Sequence, residues 1–182
     1  MKNIILYITV SIDGRIAESC GGMDWLTDFP NHERTDYGYH NMRSTVDTVI
    51  MGGRTYREIL NMDVIWPYPE QTTYVVSHYN WGERENIHFI SENVIETISE
   101  LRSRKGKDIW LVGGGELVSM LLAADLIDQM RIIYLPIVLG KGIPLFPEQP
   151  KVSQWKLDSC KTYSSGILVS VYAKITNLLP RK

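Results

Sequence analysis

Short apolar runs that lack polar alternation, each followed by a helical pattern, constrain this chain more than any other feature. The runs are Ile4–Val10, Thr48–Met51, Thr73–Val76 and Ile109–Val112. A strand with one face in water alternates apolar and polar residues, so a run apolar throughout must be covered on both faces. Helical patterns lie between them, at Arg34–Thr45, Thr55–Leu60, Val94–Lys105 and Glu116–Ala124. Val94, Ile98 and Leu101 share a face, as do Leu117, Met120, Leu121 and Ala124. Asn93 is placed to cap its helix with Glu96 in the capping-box position, and Gly106 to end it. Strands alternating with helices predict an α/β sheet, mixed but mostly parallel, with helices on both faces.

The C-terminal part follows a different pattern. Met130–Leu135 is one more apolar strand. After the loop "PIVLGKGIPLFPEQP", two runs with period-two character, Trp155–Tyr163 and Ile167–Ile175, flank "SSG" and predict an antiparallel hairpin. Ile167, Val169, Val171, Ala173 and Ile175 fall on one face of the second run. "NMDVIWPYPEQ" is a Pro-rich loop. No repeat, linker or low-complexity segment divides the chain. With 182 residues, against ~100–200 for a typical domain, residues 1–176 are expected to form a single domain and 177–182 a flexible tail.

Composition excludes several function classes. The formal net charge is −2, from 19 Lys and Arg against 21 Asp and Glu. No strong field invites nucleic acid or a membrane surface. The cluster Arg102, Arg104, Lys105 and Lys107 fits the solvated end of a helix. Cys20 and Cys160 form no CxxC, and the histidines show no ligand spacing, so neither a metal nor a disulfide framework is expected. No apolar stretch approaches the ~20 residues of a spanning helix. "MKNIILYITV" lacks a signal-peptide cleavage site. The expectation is a soluble, cytoplasmic protein.

Two junctions carry the functional signal. "IWLVGGGELVSML" places Gly113, Gly114 and Gly115 between a buried strand and a helix start. Helix N-termini present free backbone N–H groups and the positive end of the dipole, and glycine lets an anion approach them closely. A tight turn packed in the core would explain the glycines equally well. The motif is not GxGxxG, because Val118 holds the last position, and no Lys-Ser or Lys-Thr makes it a P-loop. "TVIMGGRTYREI" repeats the grammar with Gly52 and Gly53, then Arg54 and Thr55. Arg54 can pair with phosphate oxygens and Thr55 can donate to one; alternatively Arg54 is a surface charge and Thr55 an N-cap. Two such turns in one α/β domain favour a ligand with phosphates at two places, such as a dinucleotide.

"DTVIMGGRTYREI", "YVVSH" and "IWLVGGGEL", in that order and spacing, together with "ITVSIDGRIA", resemble the dihydrofolate reductase superfamily. "LPIVLGKGIPLF" resembles the branch of the riboflavin-biosynthesis reductase domain. The resemblance runs from about Asn3 to Ile175. It implies a three-layer reductase fold, an NADPH cofactor, a small heterocyclic or ribosylaminopyrimidine-type substrate and a homodimer. By the same resemblance Gly52, Gly53, Arg54 and Thr55 bind cofactor phosphates, and Ser77 and His78 lie beside the adenosine 2′-phosphate. Gly113 and Gly114 carry a cis peptide bond, and Gly115, Glu116 and Leu117 offer amides to the pyrophosphate. Thr9, Val10, Ile16 and Ala17 frame the nicotinamide, and Met23 belongs to a mobile loop over it. Trp25 and Asp36 fall in the substrate pocket, where burial would raise the Asp36 pKa and suit it to proton delivery; an ordinary acid in a helix's first turn is the other reading.

This sequence departs from the folate enzymes at Asp24, where they carry proline, and at Val118, where they carry tyrosine. The segment between Trp25 and Asp36 is also longer, and no arginine matches the one that holds the folate tail. Lys141, in the "LGKG" loop, is either a substrate contact or a solvated lysine, and Asp13-Gly14 marks a turn. Dihydrofolate reductase activity and a non-catalytic NADPH-binding module are the rival readings.

Overall fold

The computed structural model describes residues 1–32, 34–62, 64–79, 81–82, 84–147 and 152–175. The tail expected at 177–182 lies outside them. The strands are β1 (Ile4–Ser11), β2 (Arg15–Ala17), β3 (Val46–Gly52), β4 (Thr72–Val76), β5 (Ile87–Ile90), β6 (Asp108–Gly113), β7 (Gln129–Leu135), β8 (Ile143–Pro144), β9 (Trp155–Thr162) and β10 (Leu168–Lys174). The helices are α1 (Asp24–Thr27), α2 (Tyr39–Ser44), α3 (Gly53–Asn61), α4 (Val94–Ser103) and α5 (Gly115–Ala123). An 8-stranded sheet runs in the order β5-β4-β3-β6-β1-β7-β10-β9. Neighbours are parallel from β5 to β7, and β10 and β9 close that edge antiparallel.

Strand periodicity divides the core in two. Ile4, Leu6, Ile50, Ile109 and Leu111 turn to one face and pack with Ile98 and Leu101 of α4 and Leu117, Val118 and Leu121 of α5. Tyr7, Val49, Met51 and Trp110 turn to the other and pack with Met42 of α2 and Tyr56 of α3. The central strands are apolar throughout because both of their faces are covered. Gly115 starts α5 one residue past β6, and Gly53 starts α3 directly after β3, yet the two helices leave toward opposite faces. Adjacent parallel strands whose following helices diverge leave a crevice at their C-terminal ends, where open α/β sheets bind ligands.

Several local expectations change. The helix expected over Arg34–Thr45 shrinks to α2, because Tyr37 (φ 50°) and Gly38 (φ 88°) are left-handed just before it. Asn93 makes no side-chain cap. Its own backbone is left-handed (φ 49°), and its carbonyl instead accepts from the Thr97 amide. The residues that follow the "LGKG" loop form β8, which pairs with β2 in a small ribbon. Asp13 exceeds a turn marker. It accepts from Ser11 Oγ at 2.7 Å and from the Leu139 and Gly140 amides at 3.0 and 2.8 Å. That clamp ties the "LGKG" loop to the end of β1. The expected C-terminal hairpin is present, closed by Gly166 (φ 83°). Among the described residues no helix is long and apolar enough to cross a membrane.

Candidate active site

The crevice between β3 and β6 opens into a cleft of about 1020 Å³. Both glycine turns line it, and they lie side by side. A Cβ built on Gly52 would sit 3.8 Å from the Gly113 carbonyl oxygen and the Gly114 nitrogen. One built on Gly114 would sit 3.7 Å from Thr55 Oγ1. Across the two helix starts Arg54 Nη1 and Glu116 Oε1 are 3.7 Å apart, both largely exposed. The peptide bond between Gly113 and Gly114 is cis.

The glycines are there for different reasons. A Cβ on Gly53 would fall 2.8 Å from Ser77 Oγ, so the start of α3 packs on the end of β4. One on Gly115 would fall 2.4 Å from the Pro144 carbonyl oxygen, so the start of α5 packs on β8. Gly113 has φ +124°, which side chains rarely adopt, and its Cβ would press on Ile8. Gly52 and Gly114 are different. Their backbones are extended (φ −78° and −72°), and a Cβ on either would make only ordinary contacts. Nothing in the chain's own packing demands glycine there. Both are the residues preceding a helix, where Ser, Thr, Asp or Asn would ordinarily cap better. Together they keep a smooth backbone floor open to the cleft.

Thr9, Ile16, Ala17, Gly52, Gly53, Arg54, Thr55, Ser77, His78, Gly114, Gly115, Glu116 and Leu117 all line this one cleft, as does Met23. Ser77 Oγ already accepts from the Tyr79 amide and from Trp81 Nε1, each at 3.1 Å, which fixes the hydroxyl where β4 ends. Val10 is instead core, 1% exposed. Gly113 lies behind the lining. Trp25 packs against the Tyr7–Trp110 core, and its buried Nε1 has no hydrogen-bond partner among the described residues. Lys141 is exposed and off the cleft.

Residues 2–169 match the family model of the RibD C-terminal domain. The chain belongs to that family. The uncharacterized protein YwjB of Bacillus subtilis (strain 168) is 36% identical over 167 residues, covering 91% of this chain and 95% of YwjB. The crystal structure of a putative riboflavin biosynthesis protein from Shewanella sp. PV-4 superposes with a TM-score of 0.85 at 28% identity, covering 95% of this chain and 99% of that one. Dihydrofolate reductase from Enterococcus faecalis, solved with NADP(H), superposes with a TM-score of 0.69 at 16% identity, covering 94% and 96%. At that identity the likeness is one of fold. The RibD C-terminal domain family and the dihydrofolate-reductase-like architecture were both legible in the motif order.

Within this RibD-type cleft, Asp36 requires a correction. It was expected in a pocket with a raised pKa. It does not line the cleft. Its carboxylate accepts from the His40 amide at 2.9 Å, the Gly38 amide at 3.0 Å and His40 Nδ1 at 2.8 Å. Those bonds hold its pKa down at about 2. The left-handed Tyr37–Gly38 turn swings the acid onto the start of α2, where it serves the helix. Two carboxylates do line the cleft, Glu116 at the start of α5 and Glu58 on α3. On α3, Thr55, Glu58 and Ile59 all line it, and Met62 follows just past the helix end. Those four, spaced i, i+3, i+4 and i+7, form one helix face, and Arg54 and Arg57 line the cleft beside it. Tyr7, Tyr68 and Trp110 line the far end.

Proposed function

We propose that this chain is an NADPH-dependent reductase that delivers a hydride to a small heterocyclic or ribosylaminopyrimidine-type substrate. The observation that carries the proposal is the pair of glycine turns side by side at the switch point, with Gly52 and Gly114 bare toward one cleft although the fold does not need them bare. That floor suits a pyrophosphate lying against backbone amides, since the first-turn N–H groups of α3 and α5 lack intrahelical partners. Membership of the RibD C-terminal domain family and the fold shared with an NADP(H)-bound dihydrofolate reductase support the same reading.

In this reading Gly52, Gly53, Arg54 and Thr55 hold cofactor phosphate on one side, and Gly113, Gly114, Gly115, Glu116 and Leu117 on the other. Ser77 and His78, at the end of β4, meet the adenosine end, with exposed Arg54 supplying the charge that distinguishes a 2′-phosphate. Thr9, Ile16 and Ala17 border the nicotinamide, with Val10 behind them. Bound NADPH supplies the hydride; the protein's part is to orient both partners and exclude water. Asp36, ionised and off the cleft, has no role in this reading.

Residues 1–176 act as one unit in a cytoplasmic homodimer, for which the exposed edge strand β9 is the surface that a second copy would cover. Titration with NADPH and NADH, followed by nicotinamide fluorescence, tests the proposal. NADPH is expected to bind more tightly. Failure of both to bind overturns it.

A further inference from the structure

We infer that the Tyr68 hydroxyl is the acid of this site, giving its proton to the substrate as the hydride arrives, and that Arg43 behind it holds the resulting phenolate. The inference rests on the reading that NADPH fills the glycine end and reduces a substrate held beyond it.

Reduction of a C=N or C=O group needs two deliveries. Hydride from the nicotinamide forms the new C–H bond, the π electron pair moves to the nitrogen or oxygen, and that atom takes a proton. Asp36 is off the cleft and supplies none. With the glycine end given to the cofactor, the donor belongs to the far end. Thr9 borders the nicotinamide, and Tyr7 lies two residues earlier on the same face of β1, about 6.6 Å away. Trp110 stands on the neighbouring strand β6, beside Ile5, and Tyr68 packs on Trp110. Tyr68 therefore borders the space into which a substrate beside the nicotinamide extends.

Tyr68 is built as a donor. The residue is 7% exposed, yet it lines the cleft. Its ring is wedged edge-on between Trp66 at 5.4 Å and Trp110 at 5.2 Å, which fixes its direction. The hydroxyl nevertheless has no hydrogen-bond partner among the described residues. A buried hydroxyl left without a partner is costly, and a substrate atom that accepts from it removes that cost.

The surroundings separate Tyr68 from the other phenol at this end. Burial raises the pKa of both, so both keep their protons at neutral pH. Tyr7 already donates to the Tyr37 carbonyl at 3.4 Å, and the Asp36 carboxylate opposes its phenolate more than Arg131 favours it. On Tyr68 the neighbouring phenol Tyr39 acts against ionisation, and Arg43 of α2 acts for it. The remaining acid groups of the cleft are engaged or elsewhere. Glu58 and Glu116 face Arg57 and Arg54 as carboxylates, each at 3.7 Å. Cys20 sits on an exposed loop with its thiol on Glu18 at 3.8 Å. His78 and Tyr79 follow the end of β4, at the adenosine end.

In the step itself the Tyr68 O–H bond breaks as the product N–H or O–H bond forms. Arg43 holds the phenolate until water from the open cleft returns the proton. One NADPH and one proton are consumed for each substrate reduced. Tyr68 is thus a catalytic residue and Arg43 a positioning one.

The test follows NADPH oxidation by absorbance, with 5-amino-6-(5-phosphoribosylamino)uracil and dihydrofolate as probes. Tyr68→Phe keeps the ring and removes the O–H. It should lower kcat about 100-fold or more, the scale of a general acid, with KM, NADPH affinity and the thermal melt close to wild type. Its residual rate should rise about tenfold per pH unit toward acid as solvent takes over the proton, while the wild-type rate stays flat. Arg43→Gln should lower kcat about tenfold, the worth of one pKa unit on the phenol, and Arg43→Lys should restore most of it. A Tyr68→Phe protein with wild-type kcat overturns the inference, as does a loss that acid does not repair. Wild-type protein that binds NADPH but reduces neither probe overturns it as well. Failure of wild type to bind NADPH would overturn the proposed function, and this inference with it.

Discussion

The two ends of the cleft are built on opposite principles. The glycine end comes from two contiguous segments, 52–55 and 113–117, and offers backbone. The aromatic end draws Tyr7 from β1, Glu58 from α3, Trp110 from β6 and Tyr68 from a loop, and offers side chains. Recognition by backbone needs a local conformation and therefore leaves a local mark in the sequence. Recognition by side chains needs only that distant residues meet. At the glycine end Gly52 and Gly114 can thus be changed without touching the core, whereas Gly53 and Gly115 are packed and the aromatic end is core.

The largest expected effect is on the aromatic side. Trp110, 4% exposed and ringed by Tyr7, Tyr39 and Tyr68, should cost about 3–5 kcal/mol of stability as Trp110→Ala, as buried aromatic truncations do. Urea unfolding measures it, and a loss near zero would mean that this end is a loose pocket.

Gly115→Ala comes next. Its methyl would fall 2.4 Å from the Pro144 carbonyl oxygen, and overpacking of that kind costs about 1–3 kcal/mol. Gly52→Ala is the matched contrast. Its methyl meets nothing closer than 3.8 Å, so stability should hold or rise by about 0.4–1 kcal/mol through the unfolded chain. NADPH affinity should nonetheless fall, by about tenfold. If Gly52→Ala binds NADPH as wild type does, the bare backbone is not the recognition surface.

Acid should act on the Asp13 clamp between the end of β1 and the "LGKG" loop. Hydrogen bonds from Ser11 and from the Leu139 and Gly140 amides hold Asp13 at about 2, against an ordinary 3.8. A carboxylate with a depressed folded pKa contributes fully above its unfolded value, and the contribution drains away as pH falls toward the folded value. Thermal melts taken downward from about pH 5 should therefore fall more steeply for wild type than for Asp13→Asn. Parallel curves would remove Asp13 from the clamp. Smallest of all is Asp36→Asn. With the acid off the cleft and engaged with α2, turnover should stay within about twofold of wild type. A large loss of turnover with an unchanged melt would return Asp36 to the chemistry.

What could be foreseen follows the same division. The parallel strands β1, β3, β4, β6 and β7 were legible because burial on both faces makes them apolar at every position. β5 escaped notice because its short "IHFI" run carries no such pattern, and β8 because a two-residue strand has no period. The helix expected over Arg34–Thr45 failed at Tyr37 and Gly38, where left-handed backbone overrode a weak periodicity. That single turn also moved Asp36 from the expected pocket to the start of α2.

The sequence by itself determined the alternation of buried strands and helices and the two glycine turns, because strand burial and close backbone approach are written in neighbouring residues. Only the tertiary structure decided that α3 and α5 leave to opposite faces, that Gly52 and Gly114 stand bare while Gly53 and Gly115 are packed, and that Glu58 rather than Asp36 reaches the cleft. Each of those depends on which distant backbone or side chain lies within a few ångströms, and local sequence carries no record of that.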